Sequence, residues 1–261
     1  YKLMWFNHYE RCKLVLDIEL TTNCNAKCPQ CTRTDTHNNL NRMSWLKLNQ
    51  VTIDQFKNWF TVDNLSHIKQ LHFSGTYGDP GMCRDLFLIV EYIMKFSKAT
   101  VLVNTNGSFR NLDWWWNFGL LSKDRIEVMW AIEGISEEQH SLYRQNASLK
   151  FVLENMETFS LAGGKSKVFT VTFKHNENDL HNIAELAKLH GASDIFFVQS
   201  NRFYENNQFK FIDKNGMENL LEKTSRDDNE FYQRSWHLYD KDHMQKIYKE
   251  SNLGHDHEAA Q

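Results

Sequence analysis

Hydrophobic residues recur along the chain with two periods that replace each other from one segment to the next. Residues 13–20 alternate apolar and polar side chains, and this period of two predicts a strand. Residues 52–60 repeat apolar side chains at helical spacing, and Thr52 is a typical N-cap. Further strands are predicted at 68–74, 100–104, 125–132, 166–174 and 194–199. Further helices are predicted at 84–97, 111–121, from Ser148 to Gly163, and at 178–190.

Six strand–helix units in strict alternation predict a parallel sheet with right-handed crossovers. A closed eight-unit barrel takes about 250 residues, whereas these units span residues 13–202. The predicted fold class is therefore α/β, a partial TIM-type (β/α)6 barrel. Residues 1–12 are a lead-in, and residues 203–261 are predicted to form a mostly helical C-terminal extension.

The composition narrows the class of protein. With 41% hydrophobic residues among 261, the chain can build a packed core. The net charge of −3 does not favour a nucleic-acid partner, because phosphate neutralisation needs a basic surface. No apolar stretch long enough to cross a membrane and no signal-peptide pattern are present, so we expect a cytoplasmic protein without a membrane partner. The chain begins with Tyr1 rather than Met, as expected of a trimmed amino terminus.

Cysteine usage indicates metal ligation. Five cysteines are a poor fit to a disulfide framework, and Cys12 and Cys83 are expected to be buried thiols. Cys24, Cys28 and Cys31 follow the first strand with the spacing C-x3-C-x2-C. Three thiolates can hold three corners of a cubane cluster and leave the fourth iron open, whereas an electron-transfer cluster needs four.

A structural zinc site is the alternative reading of the three cysteines, with His37 as a fourth ligand. The other strand ends favour a shared site instead. The turn 75–80, the segment 104–107 and the pair 133–134 each follow a predicted parallel strand. In this fold class, loops at the carboxyl ends of the strands line one mouth of the barrel. These loops are therefore predicted to face the cysteines.

These motifs, in this order, resemble the radical S-adenosylmethionine (SAM) enzymes over residues 13 to about 202. The matching pieces are Cys24-x3-Cys28-x2-Cys31, Gly75-Thr-Tyr-Gly-Asp-Pro80, Asn104-Thr-Asn-Gly107 and Ala131-Ile-Glu-Gly134. The resemblance implies a [4Fe–4S] cluster bound by the three cysteines, with SAM on the open iron. It implies reductive cleavage of SAM to a 5′-deoxyadenosyl radical, which removes hydrogen from a substrate.

The resemblance also assigns residues to SAM. The implied cofactor-binding residues are Gly75, Thr76, Gly78, Asp79, Asn104, Asn106, Glu133, Arg144 and Gln199. The glycine-rich turn would meet the amino group of SAM, and Glu133 would accept from the ribose hydroxyls. Arg144 would bind the carboxylate of SAM or the substrate. Gln199 and Arg202 would lie at the same rim.

The loops are similar to the peptide-maturing branch that carries SPASM or twitch domains. The family usually has an aromatic residue where this chain has Gln30, and often Ser where it has Ala131. No cysteine follows Cys83, so the chain is not expected to build an auxiliary cluster unless it is a fragment whose C-terminal part is missing. The resemblance implies an electron donor such as flavodoxin or ferredoxin and a peptide or protein side chain as substrate. A small-metabolite substrate and a non-catalytic metal-binding scaffold remain alternatives.

Overall fold

The computed structural model describes residues 14–203, 206–226 and 233–235. The strands are β1 (Leu14–Glu19), β2 (Thr34–Asp35), β3 (Asn41–Arg42), β4 (Ile68–Ser74), β5 (Thr100–Thr105), β6 (Ile126–Ala131), β7 (Lys165–Thr172), β8 (Ala192–Gln199), β9 (Gln208–Ile212), β10 (Glu218–Glu222) and β11 (Gln233–Ser235). The α-helices are α1 (Ile53–Trp59), α2 (Val62–Ser66), α3 (Leu86–Phe96), α4 (Leu112–Leu120), α5 (Glu137–Ser141), α6 (Leu149–Leu161) and α7 (Leu180–Leu189). A short 3-10 helix spans Pro80–Met82.

One sheet forms the barrel wall, with the strand order β1-β4-β5-β6-β7-β8-β11. The first six strands are parallel neighbours in chain order, and β11 joins β8 antiparallel. Helices lie between successive parallel strands, as right-handed crossovers require. The predicted (β/α)6 partial barrel is confirmed. Among the described residues, β1 pairs on one side only, so the wall is open at that edge.

The core lies between the outer face of this sheet and the helices. Its largest fully buried side chains include Phe73, Trp115, Trp130 and Phe159. In the tryptophan run, Trp115 is fully buried while Trp116 is 42% exposed, as expected for a helix packed on the barrel. Because side chains alternate along a strand, the residues between the core positions face the barrel interior. That interior carries polar groups such as Asp17, His72, Asn104, Glu127 and Lys167.

Of the two predicted helix caps, Thr52 caps its helix through its side chain and Ser148 does not. Thr52 accepts from the Gln55 amide and Gln55 Oε1 accepts from the Thr52 amide, a reciprocal capping box that confirms the predicted start of α1. Ser148 occupies the N-cap of α6, but its side chain caps no amide. Glu137 Oε2 accepts the Leu149 amide at 2.9 Å instead. A carboxylate from α5 therefore stabilises the amino end of α6.

The prediction of a mostly helical extension is wrong for the part that the structure describes. Residues 208–222 form an antiparallel hairpin of β9 and β10, and residues 233–235 add β11. The hairpin follows from period-two alternation in β9 and from the turn, where Gly216 has φ +84° and Asp213 accepts the amides of Asn215 and Met217. The lead-in 1–12, with Cys12, and residues 236–261 lie outside the described residues.

Candidate active site

The three cysteines lie in one loop after β1. Cys28 is buried, Cys24 and Cys31 are half-buried, and all three are free thiols. The loop is closed by backbone hydrogen bonds from the Cys31 amide to the Cys28 carbonyl (3.1 Å) and from the Lys27 amide to the Gln145 carbonyl (2.7 Å). The loop thus presents three sulfur donors from a backbone that is fixed at several points.

The surroundings of the sulfurs fit an anionic iron–sulfur group. Asn106 Nδ2 lies 3.8 Å from Cys24 Sγ, and Arg144 Nη1 lies 3.6 Å from Cys28 Sγ, so both direct N–H groups at a sulfur. Burial raises the pKa of the Cys28 thiol to about 11, although the Arg144 cation opposes this. Burial also raises the pKa of Cys24. Thiols this buried ionise when they bind a metal centre.

Cys24, Cys28 and Cys31 supply three thiolates, the number that a cubane cluster with one open iron takes. Within the residues that the structure describes, no group of three or more His, Cys, Asp or Glu side chains that could hold a metal ion is found. His37, the fourth ligand of the zinc alternative, is exposed in the turn between β2 and β3. Cys83 is fully buried with its Sγ 3.4 Å from the Val51 carbonyl, which confirms it as a packed thiol.

An apolar cover lies over the cysteine loop. Cys28 belongs to a cluster of buried side chains against which Cys24 and Cys31 pack. The other buried members are Ala26, Leu40, Tyr143, Ala147, Phe173, Phe211 and Leu221. Phe211 and Leu221 come from the β9–β10 hairpin, and the Ile212 amide donates to the Thr36 carbonyl at 2.8 Å. The hairpin therefore covers the side of the loop that carries the buried Cys28.

Asp79 joins three of the predicted loops. Its carboxylate accepts from Thr105 Oγ1 (2.8 Å), the Asn106 amide (2.7 Å), Asn106 Nδ2 (2.7 Å) and the Gly81 amide (3.0 Å). The Asp79 amide donates to the Asn23 carbonyl at 2.7 Å. Burial raises the pKa of Asp79 to about 6 against these donors. Asp79 thus connects the segment at Asn106 to the residue before Cys24, and both contacts hold the cysteine loop in place.

The glycine-rich turn needs its glycines because backbone approaches closely. A Cβ on Gly75 would lie 2.6 Å from the Gly78 carbonyl oxygen, and one on Gly78 would lie 2.1 Å from the Thr21 carbonyl oxygen. Glu19, at the end of β1, accepts the Thr76 amide at 2.6 Å. Sequence reasoning missed Glu19, although a carboxylate on the inner face of β1 next to the cysteine loop was a usable signal.

Glu133 and Arg144 form a buried pair. Arg144 Nε and Nη2 donate to the two Glu133 oxygens at 2.7 Å each, and the Glu133 side chain is fully buried. Burial lowers the pKa of Arg144, but the Glu133 charge and hydrogen bonds, together with Cys28 and Tyr143, raise it above its ordinary value. His140 Nδ1 accepts the Glu133 amide at 3.2 Å. Burial and the Arg144 cation lower the pKa of His140 to about 3, so the ring is neutral at physiological pH.

Two further predicted cofactor-binding residues, Asn104 and Gln199, lie on different faces of the sheet. Asn104 Oδ1 is buried without a hydrogen-bond partner and lies on the inner face of β5. Gln199 shares the outer face of β8 with the core residue Phe197, so the structure does not bring it to the cysteine loop. The next residue, Ser200, donates to Gln30 Oε1 at 2.6 Å.

Gln30 ties the loop to the chain after β8. Its Nε2 donates to the Arg202 carbonyl at 3.2 Å, and Arg202 Nη1 donates to the Gln30 carbonyl. Arg202 therefore lies at the rim as expected, held to the residue that precedes Cys31. Gln30 thus makes polar contacts at the position where the family usually has an aromatic residue. No local sequence signal could have predicted its hydrogen bonds to Ser200 and Arg202.

The chain matches one family model and several solved structures. The family model of the radical SAM superfamily matches residues 18–187. The structure of native anSMEcpe with bound AdoMet matches with a TM-score of 0.55 and 18% identity, covering 71% of this chain and 51% of that one. SuiB of Streptococcus suis bound to precursor peptide SuiA matches with a TM-score of 0.54 and 14% identity, covering 71% and 39%.

The same SuiB bound to S-adenosylmethionine matches with a TM-score of 0.55 and 14% identity, covering 74% of this chain and 41% of that one. The chain thus spans about half the length of anSMEcpe and less than half the length of SuiB. At these identities the likeness shows the fold. No curated protein matches the chain in sequence. No helix among the described residues is long and apolar enough to cross a membrane.

The family model covers well over half of the chain and includes the cysteine loop, the glycine-rich turn and Glu133. Members of this family use a [4Fe–4S] cluster and SAM. The chain belongs to the radical SAM superfamily.

Proposed function

We propose that this chain is a radical SAM enzyme that acts on a peptide or protein side chain. The observation that carries the proposal is the buried cysteine loop, with Asn106 and Arg144 N–H groups directed at two of its sulfurs. When bound, the cluster and SAM supply a 5′-deoxyadenosyl radical that removes a hydrogen atom from the substrate. Cys24, Cys28 and Cys31 would hold the cluster.

The residues around the loop have distinct tasks in this proposal. Asp79 and Asn106 hold the cysteine loop against the glycine-rich turn. The carbonyls of that turn would accept from the ammonium of SAM. Arg144 places a cation beside Cys28 and offsets the charge of its thiolate. The Tyr143 and Phe173 rings pack in a tilted arrangement with their centroids 4.6 Å apart, and both side chains are buried.

In this proposal, SAM would take over some of the hydrogen bonds that Glu133 and Arg144 make to each other. Both Glu133 oxygens are occupied by Arg144 in the structure. If the guanidinium turns one of its hydrogen bonds to the SAM carboxylate, one Glu133 oxygen becomes available to a ribose hydroxyl. Asn104 Oδ1, which is buried without a partner, is a further acceptor for SAM or substrate. Gln199 has no place in this proposal.

Two observations support a peptide substrate. The fold resembles SuiB, which was solved bound to its precursor peptide SuiA. Next to the glycine-rich turn, Trp45 (55% exposed) and Tyr77 (38% exposed) form an edge-to-face pair at 5.8 Å. Exposed aromatic pairs are typical of peptide-contacting surfaces. We further propose an electron donor such as flavodoxin or ferredoxin as the reductant and a cytoplasmic location for the enzyme.

The activity is tested by anaerobic reconstitution with iron and sulfide, followed by SAM and dithionite. We expect 5′-deoxyadenosine and methionine from the parent protein and from Cys83→Ala, whose thiol lies in the core. Cys28→Ala should lose both the brown colour and the cleavage. A parent protein that holds a full cluster and SAM but releases no 5′-deoxyadenosine contradicts the enzyme.

The substrate class is tested by deuterium transfer. The reconstituted protein is incubated with SAM and either a peptide digest or a small-molecule extract from cells grown in deuterium oxide. Deuterium in 5′-deoxyadenosine from the peptide fraction alone supports a peptide substrate. Deuterium from the small-molecule fraction alone overturns it in favour of a metabolite.

A further inference from the structure

Strand β1 forms one edge of the barrel wall and, among the described residues, pairs with β4 alone. The Leu14 amide donates to the His67 carbonyl at 3.0 Å, on the side of β4. Backbone amides alternate between the two edges of a strand, so those of Val15, Asp17 and Glu19 point away from β4. The six residues of β1 thus offer an edge about 20 Å long whose backbone groups no described strand pairs.

The composition of β1 favours pairing with a basic strand. Leu14–Glu19 contains no proline and no lysine, two residue types that commonly block pairing at a free edge. Its apolar residues Leu14 and Val15 are exposed. Its only charges are Asp17 and Glu19, which repel an acidic strand and attract a basic one.

The two carboxylates of β1 face the barrel interior, because they alternate with side chains that pack on the core. The Asp17 side chain is 61% exposed, lies 3.0 Å from His72 Nδ1 and accepts from Ser74 Oγ. Glu19 accepts amides of the glycine-rich turn. Among the described residues, neither carboxylate pairs with a lysine or an arginine. The inner side of the free edge is therefore open to a cation.

We propose that the substrate peptide docks as an added strand on the free edge of β1, with a lysine or arginine side chain opposite Asp17. The inference rests on the proposed function, because it concerns the peptide on which that enzyme acts. Main-chain hydrogen bonds to β1 would hold the peptide, and Asp17 would set its specificity. Side chains directly opposite each other on neighbouring strands lie about 4.5–5.5 Å apart at Cβ, and opposite charges there attract.

The backbone edge and the charge together select an extended cationic peptide. Side chains of an added strand opposite Val15, Asp17 and Glu19 would enter the barrel interior, because neighbouring strands share the same pleat. Asn104 Oδ1 lies on that inner face, buried and without a hydrogen-bond partner among the described residues. Lysine and arginine side chains carry only donors, which match these acceptors. A small metabolite would meet the carboxylates but lacks the row of amides and carbonyls that pairs with a strand.

The charge selection is tested by the binding of short fluorescent peptide pools to the reconstituted protein, without SAM or reductant. The pools differ only in a central lysine, norleucine or glutamate. We expect the lysine pool to bind about fivefold more tightly than the norleucine pool, and the glutamate pool to bind least. Asp17→Asn should remove the preference for lysine, and Asp17→Lys should reverse it toward glutamate. Asp63→Lys, at an exposed position of α2, is the matched control and should keep the parental order.

The backbone pairing is tested with N-methylated peptides of the lysine pool. Methyl groups on every second residue remove the amide donors along one edge of the peptide strand, and methyl groups on the alternate residues remove those of the other edge. One series should bind about tenfold or more weakly, because it loses several hydrogen bonds, and the other should bind like the parent pool. An equal effect of both series overturns the added strand.

Hydrogen exchange of β1 locates the docking edge. The amides of Val15, Asp17 and Glu19 should exchange rapidly in the free protein and slowly with the lysine pool bound. Slow exchange in the free protein overturns the proposal, because another part of the chain then occupies the edge. Equal binding of the three pools overturns it as well, and leaves SAM cleavage as a separate result. A parent protein that prefers the lysine pool but releases no 5′-deoxyadenosine contradicts the proposed enzyme and not the docking edge.

Discussion

Arg144 holds both carboxylate oxygens of Glu133 at 2.7 Å, and the Glu133 side chain is fully buried. The pair connects the end of β6 to the cysteine loop, because the same guanidinium reaches Cys28 Sγ at 3.6 Å. Sequence reasoning gave the two residues separate roles toward SAM. The structure makes them one unit, in which moving Arg144 changes both the ribose acceptor and the charge beside the sulfur.

Glu133→Gln should destabilise the protein strongly. The change leaves the Arg144 cation buried without its counter-charge, and breaking a buried pair costs about 3–5 kcal/mol. The control is Glu154→Gln in the exposed Lys150–Glu154 pair, for which we expect less than about 1 kcal/mol. Denaturant unfolding of both variants measures the difference. Equal free energies of unfolding would show that the Glu133–Arg144 pair contributes no more than a surface pair.

Asp79→Asn should loosen the cysteine loop. Asp79 accepts four hydrogen bonds, and an amide NH₂ in place of one oxygen leaves buried donors without an acceptor at about 1–3 kcal/mol each. Asp85→Asn is the control, because Asp85 Oδ2 accepts one amide, from Ile53, and an asparagine oxygen can replace it. We expect Asp79→Asn to bind less iron per chain after reconstitution. Full iron loading at parental stability would contradict the bracing role of Asp79.

His140 should make the fold sensitive to acid. The unfolded chain protonates a histidine near pH 6.5, whereas the folded pKa of His140 is lowered to about 3. Between these values the unfolded state binds more protons, so the free energy of unfolding falls as the pH drops from about 6.5 toward 3. His140→Asn keeps an acceptor for the Glu133 amide and should flatten this slope. His37→Asn, at an exposed site, should leave the slope unchanged, and an equal slope in all three proteins refutes the role of His140.

The hairpin should protect the cluster from solvent. Leu221 is 2% exposed and packs in the cluster of side chains around Cys28, whereas its neighbour Leu220 is 44% exposed. Leu221→Asp places a charge against the cysteine loop, and we expect its cluster to bleach several-fold faster in air than that of the parent. Leu220→Asp changes the same strand on its outer face and should bleach at the parental rate. Identical bleaching of the two variants would show that the hairpin does not shield the sulfurs.

The sequence predicts what depends on local pattern. The six strands, the Thr52 cap and the burial of Cys83 follow from periodicity and residue type. The polarity of the segment after Phe211 predicts a helix, whereas the turn around Gly216, at φ +84°, sets a hairpin. Turn residues decide between a helix and a hairpin in a polar segment.

Contacts between distant parts of the chain could not be predicted. Ser200 and Gln30 are 170 residues apart and meet only because β8 and the cysteine loop end at the same mouth. Gln199 is expected at this rim, but it shares a face of β8 with the core residue Phe197. Neighbouring residues of a strand face opposite sides, so a prediction that is one residue off points a side chain the wrong way. The pairing of Glu133 with Arg144 likewise depends on how α5 returns to the barrel.

The most direct test of the account is the electron paramagnetic resonance spectrum of the reduced, reconstituted protein with and without SAM. Three cysteine ligands leave one iron open, so SAM should bind there and change the g-values of the cluster. Cys28→Ala should give no such spectrum, and Cys83→Ala should give that of the parent. A cluster whose spectrum is the same with and without saturating SAM would contradict an open iron that binds SAM.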